Sequence, residues 1–322
     1  MLRRAIGFTA AGLANLSLLP AQAQDYPNRP IKIIVPYGAG GSVDAIGRTL
    51  AQELTQRLGQ SVIVENKTGA GSNVGSTFVA KAPADGYTLL LTSPGNAINV
   101  TLFKSMPYDV KTELTQVAVV GRAPGILLVH PSFPANNVKE FVAMAKKAPG
   151  TLNFGSGGPG SSEHLSAEMF KTLASIDLTH VPYKGGSAAV NDILAGHVQA
   201  YFTNQANVIG QIKGNVVKVI GVAAPQRSSL LPNVPTFGEQ GYPEQQVSVW
   251  WGIAAPAKTP LMVLDRLNKE VVAAGASAAM RQRIAEMGAE SITTTRAQAN
   301  AFLDDEIVRW GQAVKSSNAQ VN

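Results

Sequence analysis

Residues 31–58 read IKIIVPYGAGGSVDAIGRTLAQELTQRL, and their order decides the fold. Residues 31–35 are a β-branched run of the length of a buried strand. Pro36-Tyr37-Gly38-Ala39-Gly40-Gly41-Ser42 then interrupts with turn residues. Val43, Ile46, Leu50, Leu54 and Leu58 recur at helical spacing, and Gly59 supplies the stop. Strand, Gly-rich loop and helix in that order form one unit of an α/β protein with parallel strands. Glycines at this place let backbone N–H groups and the helix N-terminus face an anion. A plain strand-to-helix turn has the same composition, so both readings stand here. No Gly-Lys-Ser/Thr follows, which excludes a P-loop, and Asp44 also suits the first helical turn.

The alternation continues outward. Strands are expected at 62–64, 89–91, 117–120 and 126–129, with a helix at 72–81. A second series has helices at 138–147, 162–173 and 188–194 and strands at 152–154, 178–181, 200–202 and 217–222. After a Pro-rich connection at 231–243, one strand at 247–254 precedes helices at 261–274, 278–287 and 297–315. That tail has too few strands for a sheet of its own, so it is expected to return to the first half. The expected fold is α/β, of the periplasmic-binding-protein type, with two lobes joined by a double-crossover hinge. Residues 24–124 form the first part of lobe 1, 125–245 form lobe 2, and 246–322 return to lobe 1. A cleft between such lobes is a favoured ligand site.

The N-terminus carries an address rather than a fold element. Arg3 and Arg4 precede an apolar stretch at 5–19, then Pro20 and Ala21-Gln22-Ala23. This is a secretory signal with an A-x-A site, so cleavage is expected after Ala23, with export to the periplasm. The stretch is shorter than the roughly 20 residues of a permanent span. Cysteine is absent, which excludes a lipid anchor at the cleavage site and disulfides elsewhere. The formal charge of +6 falls to +4 when Arg3 and Arg4 leave, and the remaining Lys and Arg are scattered. No basic block tracks a nucleic-acid backbone. With 45% apolar and 15% charged residues, the chain is globular rather than disordered.

Residues 155–160, Gly155-Ser156-Gly157-Gly158-Pro159-Gly160, match G-x-G-x-x-G between a strand and a helix. A dinucleotide site is disfavoured, because the protein is exported and Pro159 removes one N–H from the loop. A second small-anion loop, with Ser161 and Ser162 as cap and hydroxyl donors, reads better. Thr68-Gly69-Ala70-Gly71-Ser72 reads as a structural turn. Tyr183-Lys184-Gly185 places polar groups and a cation before another helix. No nucleophile elbow, Ser-x-x-Lys or H-E-x-x-H occurs, and the four histidines lack metal-ligand spacing. His164 reads equally as a ligand contact and as a structural hydrogen-bonder. Asp304, Asp305 and Glu306 read as a solvated helix face, and Trp250 and Trp251 as one core and one cleft or hinge residue. No enzyme, metal or cofactor is expected.

The chain resembles the Bug-type extracytoplasmic solute receptors, the binding subunits of tripartite tricarboxylate transporters, over essentially the whole mature sequence. The marks are Tyr26-Pro27-x-x-Pro30-Ile31, Val35-Pro36-Tyr37-x-x-Gly40-Gly41-x-x-Asp44, Val64-Glu65-Asn66-Lys67-x-Gly69-Ala70-Gly71 and Asp85-Gly86-Tyr87-Thr88-Leu89. Further marks are Gly155-Ser156-Gly157 with Ser161 and His164, His180-Val181-Pro182-Tyr183-Lys184-Gly185, Leu231-Pro232-x-Val234-Pro235-Thr236, and Gly252-Ile253-x-Ala255-Pro256. The resemblance implies a small organic carboxylate held by Tyr37, Gly38, Ala39, Gly40, Gly41, Ser42 and Asp44 of one loop. Ser156, Gly157, Gly160, Ser161 and His164 would face it, with Thr92, Ser93, Tyr183, Lys184, Gly185 and Asn204 lining the cleft. It implies delivery to transporter membrane subunits by a monomer. Tyr37 stands where the family often has Phe. Thr203-Asn204 stand where many members have an acid, which points away from an amino-acid ligand.

Two other functions fit the same features. A loaded receptor that docks on a sensor kinase would be told apart by neighbouring genes. An exported hydrolase is disfavoured by the missing nucleophile elbow.

Overall fold

The computed structural model describes residues 26–183, 186–319 and 321. The expected signal peptide, Lys184 and Gly185 lie outside the described residues. Strand β1 (Ile31–Val35), helix α1 (Ser42–Leu58) and strand β2 (Val62–Asn66) form the first unit. Then follow α2 (Asn73–Ala80), β3 (Thr88–Thr92), α3 (Pro94–Leu102) and β4 (Leu114–Val129). The second series is α4 (Val138–Lys147), β5 (Asn153–Ser156), α5 (Ser162–Ala174), β6 (Thr179–Pro182), α6 (Gly186–Leu194), β7 (Ala200–Asn204), α7 (Ile209–Lys213) and β8 (Lys218–Ala223). The return comprises β9 (Ser248–Pro256), α8 (Leu261–Gly275), α9 (Ala278–Glu286), β10 (Glu290–Ser291) and α10 (Arg296–Ser317).

The strands join in one curled sheet of order β2-β1-β3-β9-β4-β7-β5-β6, with β8 and β10 also paired to β4. β1 runs parallel to β2 and β3, and β5 parallel to β6 and β7. Between these parallel blocks the returning β9 lies antiparallel to both β3 and β4. The strands expected at 117–120 and 126–129 are therefore one strand of 16 residues. Residues Leu114 to Pro124 of β4 pair with β9, and Gly125 to Val129 pair with β7 and β8. Pro124, which has no N–H to give, sits at the change of partner, where a ladder bond is least missed.

Successive side chains of each strand serve opposite faces. Ile34, Leu90, Leu127, Phe154, Phe202 and Trp250 belong to one continuous buried cluster that spans both parallel blocks. On the other face the core is divided. Ile33, Leu89 and Trp251 pack with α1, α8 and α9, whereas Ile126, Leu128 and Tyr201 pack with α6. Helix α10 lies on the continuous side, against α3 and α5.

Two expectations are corrected here. Trp250 and Trp251 are both fully buried, so neither faces a cleft. Asp304 and Asp305 are exposed as expected, but Glu306 is 2% exposed. Its Oε2 accepts from the indole nitrogens of Trp250 (2.9 Å) and Trp310 (3.0 Å), and Arg309 donates to Oε1 at 3.0 Å. Burial raises the carboxyl's pKa against the opposing pull of Arg309 and the two indoles. Glu306→Leu strands two buried N–H donors and is expected to destabilise the protein by about 3 kcal/mol. Glu306→Gln keeps an oxygen at the shared acceptor position and is expected to cost less than half as much, as measured by urea denaturation of both variants.

Candidate functional site

The loop after β1 is fixed by side chains behind it. Asp44 is buried, and its Oδ2 accepts from the Gly40 N–H at 3.0 Å and from Arg48 Nε at 2.9 Å. Asn66, at the end of β2, donates to Asp44 Oδ1 and to the Tyr37 carbonyl, both at 2.9 Å. Burial works against the charge on Asp44, but these hydrogen bonds and the Arg48 cation outweigh it and hold the carboxyl below its ordinary range. Gly40 has φ +88°, a conformation that side chains disfavour, with open space where a Cβ would stand. Gly41 is the N-cap of α1 and makes no side-chain cap, so the first turn of that helix is left open at its positive end.

That end faces a cavity of about 370 Å³ between the two parallel blocks. Gly40 and Gly41 line it from the loop before α1 and Ser42 from the start of that helix, Glu163 from the first turn of α5, and Gly186 and Ser187 from the first turn of α6. Tyr201, Asn207 and Gln211 complete the polar wall. Three helix N-termini thus meet at one cavity. Ser42 Oγ reaches Asn207 Oδ1 across it at 3.4 Å. Among the described lining residues there is no Lys or Arg. Peptide dipoles and neutral donors arranged in this way can hold an anion, each terminus contributing roughly 1 kcal/mol.

Of the described residues expected in the site, Gly40, Gly41 and Ser42 line this cavity and the others do not. Gly38 and Ala39 are exposed in the first loop. The Tyr37 hydroxyl accepts from Ser93 Oγ at 2.8 Å and is raised in pKa, chiefly by burial. Thr92 Oγ1 donates to Gln116 Oε1 at 3.1 Å. In the second Gly-rich loop, Ser156 Oγ pairs with His180 Nε2 at 2.6 Å and accepts from Gly158 N–H at 3.0 Å. Gly157 is half-buried in the turn that follows β5. Gly160 packs against Leu102, and its N–H donates to His164 Nδ1 at 3.1 Å. Ser161 caps α5 by accepting from the His164 N–H. Tyr183 donates to Asp192, and Asn204 accepts from the Asn207 N–H at 3.1 Å, which steadies a cavity residue from behind. Much of the second loop's polar capacity is therefore spent within the protein.

Glu163, Gly186, Ser187, Tyr201 and Asn207 were not singled out from the sequence. An acid in the first turn of α5 reads there as an ordinary complement to the helix dipole. Only the approach of α6 and β7 turns it into a wall of the cavity. Burial raises the Glu163 carboxyl above its ordinary range, opposed by its own N–H and by Ser161 and Ser162. Tyr201 is fully buried and also raised, first by burial and then by the Glu163 charge.

Two parallel blocks bridged by long antiparallel strands, with a polar cavity at converging helix ends, define the class of periplasmic binding proteins. The chain belongs to the tripartite tricarboxylate transporter receptor family, whose model it matches over residues 46–319. It is 36% identical to protein BugT of Bordetella pertussis, with 98% of this chain and 96% of that protein covered. Among solved structures it is similar to the periplasmic binding protein BugD, at 33% identity and a TM-score of 0.80, covering 92% of this chain and 99% of that one. It is also similar to Rpa4515 of R. palustris, solved with adipate, at 31% identity and a TM-score of 0.83, covering 92% and 100%. No helix of the described residues is long and apolar enough to cross a membrane.

His164 and His180 stack with ring centroids 4.1 Å apart, and His180 stacks on Phe154 at 4.9 Å. Burial lowers both, and the neighbouring His164 adds to the effect on His180, which falls to about 4 from 6.5. In that interval the unfolded chain binds more protons than the folded one. This contribution to stability is therefore present above pH 6.5 and is lost as pH falls toward 4, by roughly 1–2 kcal/mol after allowance for partial exposure. Thermal unfolding of the wild type is expected to weaken over this window more steeply than that of His180→Gln.

Proposed function

We propose that this chain is an exported receptor that captures a small organic carboxylate in the cavity and delivers it to transporter membrane subunits. The carrying observation is the meeting of three helix N-termini at a polar cavity that has no Lys or Arg among its described lining residues. The adipate carried by Rpa4515 supports the same ligand chemistry. Cleavage after Ala23 releases a soluble monomer to the periplasm. Residues 24–124 with 246–322 act as one lobe and 125–245 as the other, and the change of β4 partners at Gly125 supports that boundary. Gly40, Gly41 and Ser42 hold the anion from one lobe while Gly186 and Ser187 meet it from the other. Closure is favoured because neither half satisfies the anion alone. The protein binds and releases its cargo unchanged.

A thermal-shift screen over mono-, di- and tricarboxylates tests this. A true ligand at about 1,000 times its Kd is expected to raise the melting temperature by roughly 5–10 °C. Gly40→Val, in the first loop, is expected to remove that shift while the unliganded fold remains. An unshifted melt with every carboxylate overturns the reading.

A further inference from the structure

The cavity contains one group that an anion site does not call for. Glu163 lines it half-buried, and no Lys, Arg or His stands among the described residues that line the cavity with it. Its hydrogen-bond partner there is a neutral hydroxyl, Ser162 Oγ at 3.3 Å. Beside it stands Tyr201, fully buried, whose hydroxyl faces that of Thr203 but makes no hydrogen bond of ordinary geometry. Gly186 and Tyr201 line the same cavity, and a Cβ at Gly186 would lie 2.8 Å from the Tyr201 oxygen, so any larger residue there would wall that oxygen off. Buried hydroxyls are seldom left unpaired, and a carboxylate in a cavity shaped for another carboxylate repels it. Both anomalies vanish together when the ligand itself brings a cationic donor.

From this juxtaposition we infer that Glu163 and Tyr201 form an ammonium subsite, making the cleft selective for a zwitterion: an acid that also carries a protonated amine. The ligand carboxylate lies at the open first turn of α1, and its ammonium donates to Glu163 and to the Tyr201 oxygen. The acid that the sequence lacks after β7 is thus supplied from α5. This inference rests on the cavity being the carboxylate site and deepens that reading by naming the ligand's second group.

The test is calorimetric titration of the full chain with matched pairs: L-aspartate against succinate, L-glutamate against glutarate, and each other L-amino acid against its deaminated acid. An amino acid is expected to bind more tightly than its deaminated partner. Glu163→Gln is expected to weaken the amino acid roughly 10- to 100-fold and to strengthen the deaminated acid, reversing the preference. Tyr201→Phe, which keeps the buried ring, is expected to weaken the amino acid several-fold, a second readout should Glu163→Gln unfold. Preference for the deaminated acid in the wild type, or an unchanged preference in both variants, overturns the ammonium subsite but leaves the carboxylate receptor standing. Failure of both members of every pair and of the wider carboxylate screen overturns the receptor reading as well.

Discussion

The backbone ladder of β4 is the constraint on which the rest of the molecule depends. One strand hydrogen-bonds to β9 over its first part and to β7 and β8 over its second. The two parallel blocks are consequently parts of a single sheet rather than separate bodies on a tether. Strand alternation then distributes the core unequally. One face carries a continuous apolar cluster across both blocks, while the other is divided between the α1 and α6 sides. The cavity lies between the blocks, lined by the first turns of α1 and α6 from the divided face and by Glu163 of α5. The continuous side is braced by α10, which packs against α3 and α5.

The chemistry of the cavity follows from what is kept out of it. The charges near the first loop are turned away: Asp44 is held by Arg48, Asn66 and the Gly40 amide behind the loop. Peptide groups are left to supply the field. On the proposed reading, binding here depends on position instead of on a fixed cation, and selectivity falls to the few side chains that differ from a plain amide lining. Glu163 and Tyr201 are the strongest such groups in the wall.

The sequence made most elements legible, because apolar periodicity and Gly punctuation are local signals. Helix α4 begins and ends where its spacing indicated, and β1 with α1 follow the strand-loop-helix reading. Helix α3 was hidden by Pro94, Gly95 and Asn96, residues that suggest a turn. In the fold Pro94 takes the first helical position and Asn96 accepts from the Ser93 N–H at 3.0 Å, so the same residues start a helix. The Gly121 to Gly125 stretch suggested a break in β4, yet pairing with β9 on one side carries the strand through it. Glu306 could not be told from its exposed neighbours, because only the packing of α10 brings it under two indoles. In the site, the first loop was legible as a composition. The second wall was not, since Glu163, Gly186 and Tyr201 come from separate elements and meet only when the sheet curls.

The missing cap on α1 has a consequence for what occupancy means here. Most helices finish their own first turn with a Ser, Thr, Asp or Asn side chain. This one has Gly41 in that role and offers the position to whatever lies in front of it. An anion lodged there completes the secondary structure of its host, as a keystone completes an arch. On the proposed reading, residues 40–44 are held from behind by the protein and closed in front by the cargo, which is for a time part of the architecture.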